Sequence, residues 1–599
     1  MIDRPRAILS APLALALALS SGCSVGLFDD DRDVRSIAME RLRAVDRTSL
    51  APFQRKVPAA TPTDSPAAES PSAVPVRSRF EGRPSVELDL EQCRQTALAN
   101  NLSLKVARLD PTIAAQRVSA EDARFNSVFT LSSRYSDFNQ PTSSQLVAAQ
   151  SQRTSIDPGV RIPLRTGGTA TVTMPWAKNS DNNQFSTLNP SYSSDFDFSI
   201  SQPLLRNAGR RANTAPLRIA AYNEQASQAR TKLEVIRQLA AVDRAYWRTF
   251  AARGSLAVRQ QQYELAAEQE ARAQRRADKG LGLEIDVIRA QAAVADSLEG
   301  IILAQNDVLT RQRELKAVVN DPELPIEGST MVTVSTPPDP VEYEFDRPQL
   351  VAHALDTRME MLELELQIAA DAVAIGQAQN RALPLVSLDY TYRLNGLGGS
   401  TQDALKTLRD DDFQDWSVGL SAEIPFDNEQ ARAGIREAIL GRLQRLATRE
   451  ARRQAITQET LAALDQIDAA WQRILASRQA VVLNTRNLRA EQRLFDNSKS
   501  TSTDVLNATT RLAEAQLSEL RAVADYQVAQ VDLAFATGTL LGASRVSFDP
   551  APTPDDDTLT QPVPEFEPAA TRPESKQDSK HFPHPELNPE SSSDSKPAR

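Results

Sequence analysis

The sequence predicts a mixed α and β membrane fold made of two copies of one unit, each joining alternating β-strands to one long helical hairpin. Three observations predict it. The 36 prolines of the 599-residue chain are unevenly spread. None lies between Pro216 and Pro322 or between Pro425 and Pro550, and both gaps are rich in Ala, Gln, Leu, Arg and Glu, which favour helix. Outside those gaps run segments in which apolar and polar residues alternate singly, the period of a strand with one apolar and one wet face. Finally, Ala97–Tyr135 matches Ala354–Tyr392 at an offset of 257, so the chain reads as a tandem duplication.

At the N-terminus, Arg4 and Arg6 precede an apolar run from Ala7 to Leu19. That run is too short to span a bilayer and suits a signal-peptide core. Small residues then lead to Cys23. This stretch resembles the lipobox of bacterial lipoproteins, in which the cysteine is acylated and becomes the mature N-terminus. That pattern prefers leucine three residues before the cysteine, where this chain has Ser20; an ordinary signal peptide with an incidental cysteine is the alternative. Residues 1–22 are therefore expected to be a signal peptide and 23–86 a lipidated extension and linker. Seven prolines lie between Pro52 and Pro84, which argues for disorder, and Val34–Val45 has the pattern of one amphipathic helix. With Cys23 acylated, Cys93 is the remaining thiol and no intrachain disulfide is possible.

The first repeat is expected over 87–330, a linker over 331–342, the second repeat over 343–548, and a disordered acidic tail over 549–599, in which ten prolines lie from Pro552 to Pro597. The first strand places Phe129, Leu131 and Tyr135 against Thr130, Ser132, Arg134 and Ser136. The second places Tyr192, Phe196, Phe198 and Ile200 against Ser193, Asp195, Asp197 and Ser199. Val386–Leu394 and Trp416–Ile424 repeat the pattern in the second half. These four strands have the length that crosses a bilayer when tilted. A soluble sandwich is the alternative, but a sheet of four strands with open edges is poorly protected, and in lipid closure into a barrel is compulsory. The first half also carries an insertion, Val160–Arg165, a Thr166-Gly167-Gly168 turn and Thr169–Trp176, read as a β-hairpin at the extracellular end; the second half has a loop, Asn395–Asp415, in its place.

Within the helical runs, Ile236, Leu239, Val242, Tyr246 and Phe250 form one apolar stripe. Leu461, Leu464, Ile467, Trp471, Ile474 and Val481 form another, interrupted by Arg478. Helices of about 65 residues would be roughly 100 Å long and must pack along one another. Each run breaks once, at Lys279-Gly280-Leu281-Gly282 and at Asn497–Ser502, and the segments that follow align at an offset of 218. Two antiparallel hairpins with tight tips result. Trp176 and Trp416 suit an aromatic girdle, whereas Trp247 and Trp471 belong in the helical packing.

Composition removes other classes. Three histidines and two cysteines, with His581 and His584 in the tail and His353 alone in the folded part, are too few for a zinc cage, a Cys/His nucleophile pair or a disulfide framework. The net charge of −10 argues against nucleic acid as a partner. There is no phosphate-cradling glycine loop with a lysine and no nucleophile elbow, so no enzyme activity, cofactor or metal is expected. A coiled-coil envelope lipoprotein without a pore remains an alternative, although such a scaffold has no use for the four strands.

Ala97-Leu98-Ala99-Asn100-Asn101, Ser201-Gln202-Pro203-Leu204-Leu205-Arg206 and Asp504-Val505-Leu506-Asn507-Ala508, taken with the duplication, make the chain resemble the TolC-like outer membrane efflux protein family over about residues 87–548. The resemblance implies a homotrimer, each protomer giving four strands to a twelve-stranded barrel in the outer membrane of a Gram-negative-type bacterium and its hairpins to a helical barrel across the periplasm. It implies a passive exit duct of a tripartite efflux or type I secretion system, with a periplasmic adaptor and an inner-membrane pump as partners. Segments 322–340 and 537–548 would join an equatorial belt. Asp504 matches a family aspartate that rings the tunnel entrance; capping of the return helix is the other role open to it. The family's second ring aspartate falls on Asn507, which should weaken cation selectivity. Asp286 matches a gate aspartate whose Tyr and Arg partners fall here on Phe495 and Ser500. Neither can make that pairing, Lys499 is the adjacent substitute, and Asp286 reads better as a helix cap. The tips, with Gly280, Gly282, Asp286, Ser498, Lys499 and Ser500, are the expected adaptor-docking sites.

Overall fold

A computed structural model describes residues 54–55, 80, 82–143, 147–280, 282–497 and 499–548. Cys23, Ser498, Val34–Val45 and the acidic tail lie outside them.

The first repeat opens with a short strand β1 (Ser85–Leu88) and three short helices: α1 (Leu90–Asn100), α2 (Leu102–Ala107) and α3 (Leu109–Asp122). Asp89 caps α1 through a reciprocal box with Gln92, satisfying backbone N–H groups that the first turn leaves without partners. Six strands follow: β2 (Val128–Asn139), β3 (Gln150–Pro163), β4 (Thr169–Thr173), β5 (Trp176–Asp181), β6 (Ser191–Ser194) and β7 (Phe196–Pro203). The hairpin is α4 (Ala215–Asp278) and α5 (Glu284–Val319). The second repeat runs β8 (Met331–Val334), α6 (Arg347–Thr357), α7 (Met359–Arg381), β9 (Leu385–Leu394), α8 (Thr401–Asp410), β10 (Gln414–Glu423), and the hairpin α9 (Glu429–Asp496) and α10 (Ser502–Ala536).

With 64 and 68 residues, α4 and α9 are each about 100 Å long. The return helices, of 36 and 35 residues, cover only half of that length. The rest is covered by the short helices that precede the strands, with α7 lying between α4 and α9. The stripes behave as expected: Ile236, Leu239, Val242 and Tyr246 are buried on α4, and Leu464, Ile467, Trp471 and Ile474 on α9. Arg478 does not interrupt the second seam. Ser477 takes the inward position, and Arg478 leans out to pair with Glu519 at 3.3 Å. Trp247 and Trp471 are buried in the helical packing.

A belt wraps the middle of the bundle. β1 pairs in parallel with β8, and Gln54–Arg55 pairs antiparallel with Glu342–Tyr343. Val332 packs against Val242, Tyr246 and Leu315, and the Tyr246 hydroxyl accepts from Thr336 N at 2.9 Å. Val546 and Phe548 pack on the neighbouring core cluster.

The remaining strands form one antiparallel sheet, which departs from expectation in two ways. The four expected strands are all present, but they are not the whole sheet. β3, and the line made by β4 and β5, add two further strand lines, so the order is β2, β3, β4 with β5, β6 with β7, β9, β10. The inserted turn is also not at the far end of the sheet. It abuts the start of the long helix: Gly209 N donates to Thr166 O at 2.9 Å, and Arg165 pairs with Asp122 at 2.7 Å. Gly167, at φ +93°, is required there, since a Cβ would sit 2.0 Å from the Asn207 carbonyl. The loop expected over Asn395–Asp415 contains α8, capped by Ser400, and a two-residue strand at Leu397–Gly398 that pairs with β6.

Candidate conduit site at the hairpin tips

Each long helix turns into its return helix through five residues, 279–283 and 497–501. In the first tip Gly280 sits at φ +70°, a conformation costly for residues with a Cβ, and donates to Ala277 O at 2.9 Å. Gly282 lies where a Cβ would press on the Ala277 nitrogen at 3.2 Å. The turn thus requires glycine at 280, while at 282 it leaves little room for a side chain. In the second tip Lys499 N closes onto Leu494 O at 2.8 Å, and Ser500 Oγ donates to Glu491 at 2.7 Å.

Asp504 is a capping residue. It sits in the first turn of α10, where Thr501 N donates to its Oδ2 at 3.1 Å and Thr501 Oγ1 at 2.6 Å, while Asp504 N donates back to Thr501 Oγ1 at 3.3 Å. Hydrogen bonds from the Thr501 hydroxyl and backbone, then from Ser500, hold its carboxyl below the usual aspartate pKa, so it stays charged at neutral and mildly acidic pH. Capping does not hide it. Asp504, Asn507, Arg511 and Glu514 form one exposed stripe at intervals of three and four residues, while Val505, Ala508 and Leu512 face inward. Arg511, one turn beyond Asn507, was not singled out by the sequence reading; its spacing on the stripe is the signal that finds it.

Asp286 is not a side-chain cap. The N-cap of α5 is Leu283, which makes no capping bond, and Asp286 lies in the first turn, 4.0 Å from Arg289. There its charge complements the helix dipole. It does not reach Phe495, Ser500 or Lys499. The two tips are held together by other groups. Arg276 donates from Nη1 to the Phe495 carbonyl at 2.5 Å, and its guanidinium lies 4.7 Å from the centre of the Phe495 ring. Gln269 donates to Ser502 Oγ at 3.1 Å and Arg289 to Thr503 Oγ1 at 3.4 Å. Phe495 therefore makes a contact between the hairpins, through its ring and its carbonyl. Leu283, Ile285 and Ile288 are exposed apolar side chains on the first tip; the second tip is polar.

Remote from the tips, Cys93 is a free thiol, and burial pushes it up to about 12, which leaves it unreactive. Trp416 lies exposed on β10, and Trp176 packs against Tyr192. Among the described residues no helix is long and apolar enough to cross a membrane.

Similarity to known proteins follows this geometry. The outer membrane efflux protein family model matches residues 169–321 and 350–539, more than half of the chain. The chain is 24% identical over 307 residues to outer membrane protein TolC of Vibrio cholerae, and 25% identical over 307 residues to that of Escherichia coli. These alignments cover 50% and 49% of this chain, and 67% and 60% of the relatives. A membrane protein of Pseudomonas aeruginosa shares the fold with a TM-score of 0.58 at 18% identity, over 79% of this chain and 99% of that one. Long paired helices, one large alternating sheet and two matching halves thus coincide with the family match, and the chain belongs to the outer membrane efflux proteins, as a TolC-like protein of the outer membrane.

Proposed function

We propose that the chain is one third of a passive exit duct. Three copies close a β-barrel in the outer membrane and a helical tunnel across the periplasm. Cargo enters from an inner-membrane pump and a periplasmic adaptor, as in tripartite efflux or type I secretion. One observation carries this reading: a sheet with an exposed apolar face and a polar opposite face, joined directly to helices about 100 Å long. In lipid such a sheet has to close, because unpaired backbone groups find no water there.

In this duct the Asp504–Glu514 stripe faces the lumen. Three Asp504 carboxylates form an acidic ring, kept charged by the Thr501 and Ser500 hydrogen bonds. With Asn507 neutral and Arg511 adding three cations one turn further on, cation preference is weaker than a double acidic ring would give. The adaptor docks at the tips, around Gly280, Gly282, Asp286, Ser498, Lys499 and Ser500, with Leu283, Ile285 and Ile288 as its apolar anchors. An acyl chain on Cys23 adds a lipid anchor, which mass spectrometry of the mature N-terminus tests.

The experiment is purification of the full chain followed by planar-bilayer recording. Trimers that need detergent and conduct in discrete steps support the duct. A detergent-free soluble monomer, or a trimer without conductance, would return the protein to the pore-less envelope lipoprotein. Asp504→Ala is expected to change reversal potential or block by multivalent cations; an unchanged current–voltage curve removes the ring and leaves the duct.

A further inference from the structure

The inserted strands lie inside the sheet, with neighbours on both edges. β3 pairs with β2 along twelve residues, from Val128↔Arg161 to Asn139↔Gln150. Its other edge pairs with β4 and β5, which in turn pair with β7 and β6. The ladder is carried across the Met174-Pro175 break by Met174 N to Pro158 O and Asp195 N to Pro175 O, both 2.9 Å. Moving this hairpin into the lumen or above the sheet would break both ladders.

The chemistry of its faces agrees with its neighbours. Residues paired across antiparallel strands share a face. One register row crosses the whole sheet through Phe129, Val160, Val172, Phe198, Tyr392 and Trp416. All six side chains are apolar or aromatic. The adjacent row runs through Thr130, Gly159, Thr173, Asp197, Arg393 and Asp415. Not one of these is a large apolar residue, and Arg393 bonds Asp197 through Nη2 at 3.2 Å. A hairpin that stayed in water would have no reason to continue the apolar row. With 14 residues in β3 and Thr169–Asp181 in its partner line, both inserted crossings exceed the roughly 9–11 residues that span a bilayer at a tilt.

We propose that this hairpin is part of the membrane wall, so that each chain supplies six strands and three chains close a barrel of eighteen rather than twelve. The inference rests on the trimeric duct proposed above. The open edges are β2 and β10, and the occupant of each is the other edge of a second copy. Barrel diameter grows roughly linearly with strand number, so the mouth is about one and a half times as wide as a twelve-stranded one. The helical tunnel below gains nothing from the insertion, since both hairpins keep matched lengths. The duct then widens as it enters the membrane, with Arg153, Asp157 and Arg161 added to its polar lining.

Two measurements test this. Electron cryo-microscopy of the full-length trimer in lipid nanodiscs should show eighteen strands; twelve, with 150–181 outside the wall, overturns the proposal. Spin labels on Ile156→Cys, Val172→Cys and Leu420→Cys should be relaxed by oxygen, and labels on Thr171→Cys and Thr391→Cys by a water-soluble nickel chelate, with the parent chain as the blank. Leu420 in lipid with Ile156 and Val172 in water removes the hairpin from the wall and leaves the duct. Leu420 in water overturns the duct itself.

Discussion

Asn101 and Arg358 occupy the same place in the two repeats and do the same mechanical job with different chemistry. Each follows an 11-residue helix, α1 or α6, and each is nearly buried, at 6% and 3% exposure. Asn101 donates to the Val318 carbonyl at 2.9 Å, Arg358 to the Ala536 carbonyl at 3.1 Å, and these carbonyls lie at matching points near the ends of the return helices. Asn101 completes its bonds with Gln238 and Leu104 N. Arg358 needs charged partners: Glu360 at 2.6 Å and Glu459 at 2.9 Å, with Arg452 closing the group at 2.8 Å from Glu360. One repeat fixes its joint with a neutral amide, the other with a buried ion network. The backbone prescribes a donor at that point; whether the donor is charged decides how strongly the joint depends on pH and on each member of the set.

The largest break in that comparison should come from Arg358→Met. It leaves Glu360 buried with Arg452 as its remaining cation and costs about 3–5 kcal/mol, as removal of one member of a buried ion pair does. Asn101→Ala should cost about 1–3 kcal/mol, the range for buried groups losing a hydrogen-bond partner. Guanidinium unfolding in detergent, followed by single-tryptophan variants keeping Trp471 or Trp247, reads the two joints separately.

Acid should separate the joints next. Burial raises the Glu360 pKa, but hydrogen bonds and charge from Arg358, then Arg452, outweigh it and bring the carboxyl to about 2. A depressed folded pKa means stability that is present above the unfolded value of 4.5 and is lost as pH falls toward 2. The Trp471 signal is expected to shift at higher pH than that of Trp247. Simultaneous shifts would show that the ion network does not set acid stability.

A smaller contrast lies at the ends of the return helices. Asn320 and Gly538 are both left-handed, at φ 52° and 72°. Asn320 Nδ2 donates to Asn100 O at 2.9 Å, while at Gly538 a Cβ would meet Thr357 Oγ1 at 2.9 Å. Gly538→Ala should cost about 1–2 kcal/mol from the backbone conformation alone. Asn320→Gly should cost about 1 kcal/mol, for one hydrogen bond. Thermal melting of the two variants checks the order.

The smallest effect is at the tips, where Leu283 and Thr501 are equivalent N-caps. Thr501→Ala should destabilise α10 by about 1 kcal/mol. Leu283→Thr should stabilise α5 by up to about 1 kcal/mol, because Asp286 then stands where Asp504 closes the second capping box. If Leu283 is an adaptor anchor, the same substitution weakens capture of the adaptor while the melting temperature rises.

Much of the helical architecture was legible in sequence, because a proline-free run with a three- and four-residue apolar stripe has few solutions other than a long packed helix. Ile236, Leu239 and Val242 could be placed inward from spacing alone. The tips were legible because Gly280 and the Asn497–Ser502 cluster interrupt that pattern. The sheet was legible only in part. Val160–Trp176 announced a hairpin, but its place did not follow, since alternation fixes which residues share a face and says nothing about which strands are neighbours. A hint was present: the match between repeats falls from an offset of 257 at the first strands to 218 at the tips, so 39 extra residues lie between, enough for two more lines of strand. At the tips, Arg276 went unseen because a guanidinium among many arginines on one helix carries no local signature.

What the sequence by itself determined is periodic and local: the duplicated plan, the helix lengths, the turn glycines and the apolar and polar faces of each strand. What only the tertiary structure decided is which distant groups meet: the Arg358 network, the Arg276–Phe495 contact, and the seating of the inserted hairpin within the sheet. The physical reason is range. Helix and strand periods are written by neighbours a few residues apart, whereas strand order and buried ion pairs join residues tens to hundreds of positions apart, and packing alone selects among their many combinations.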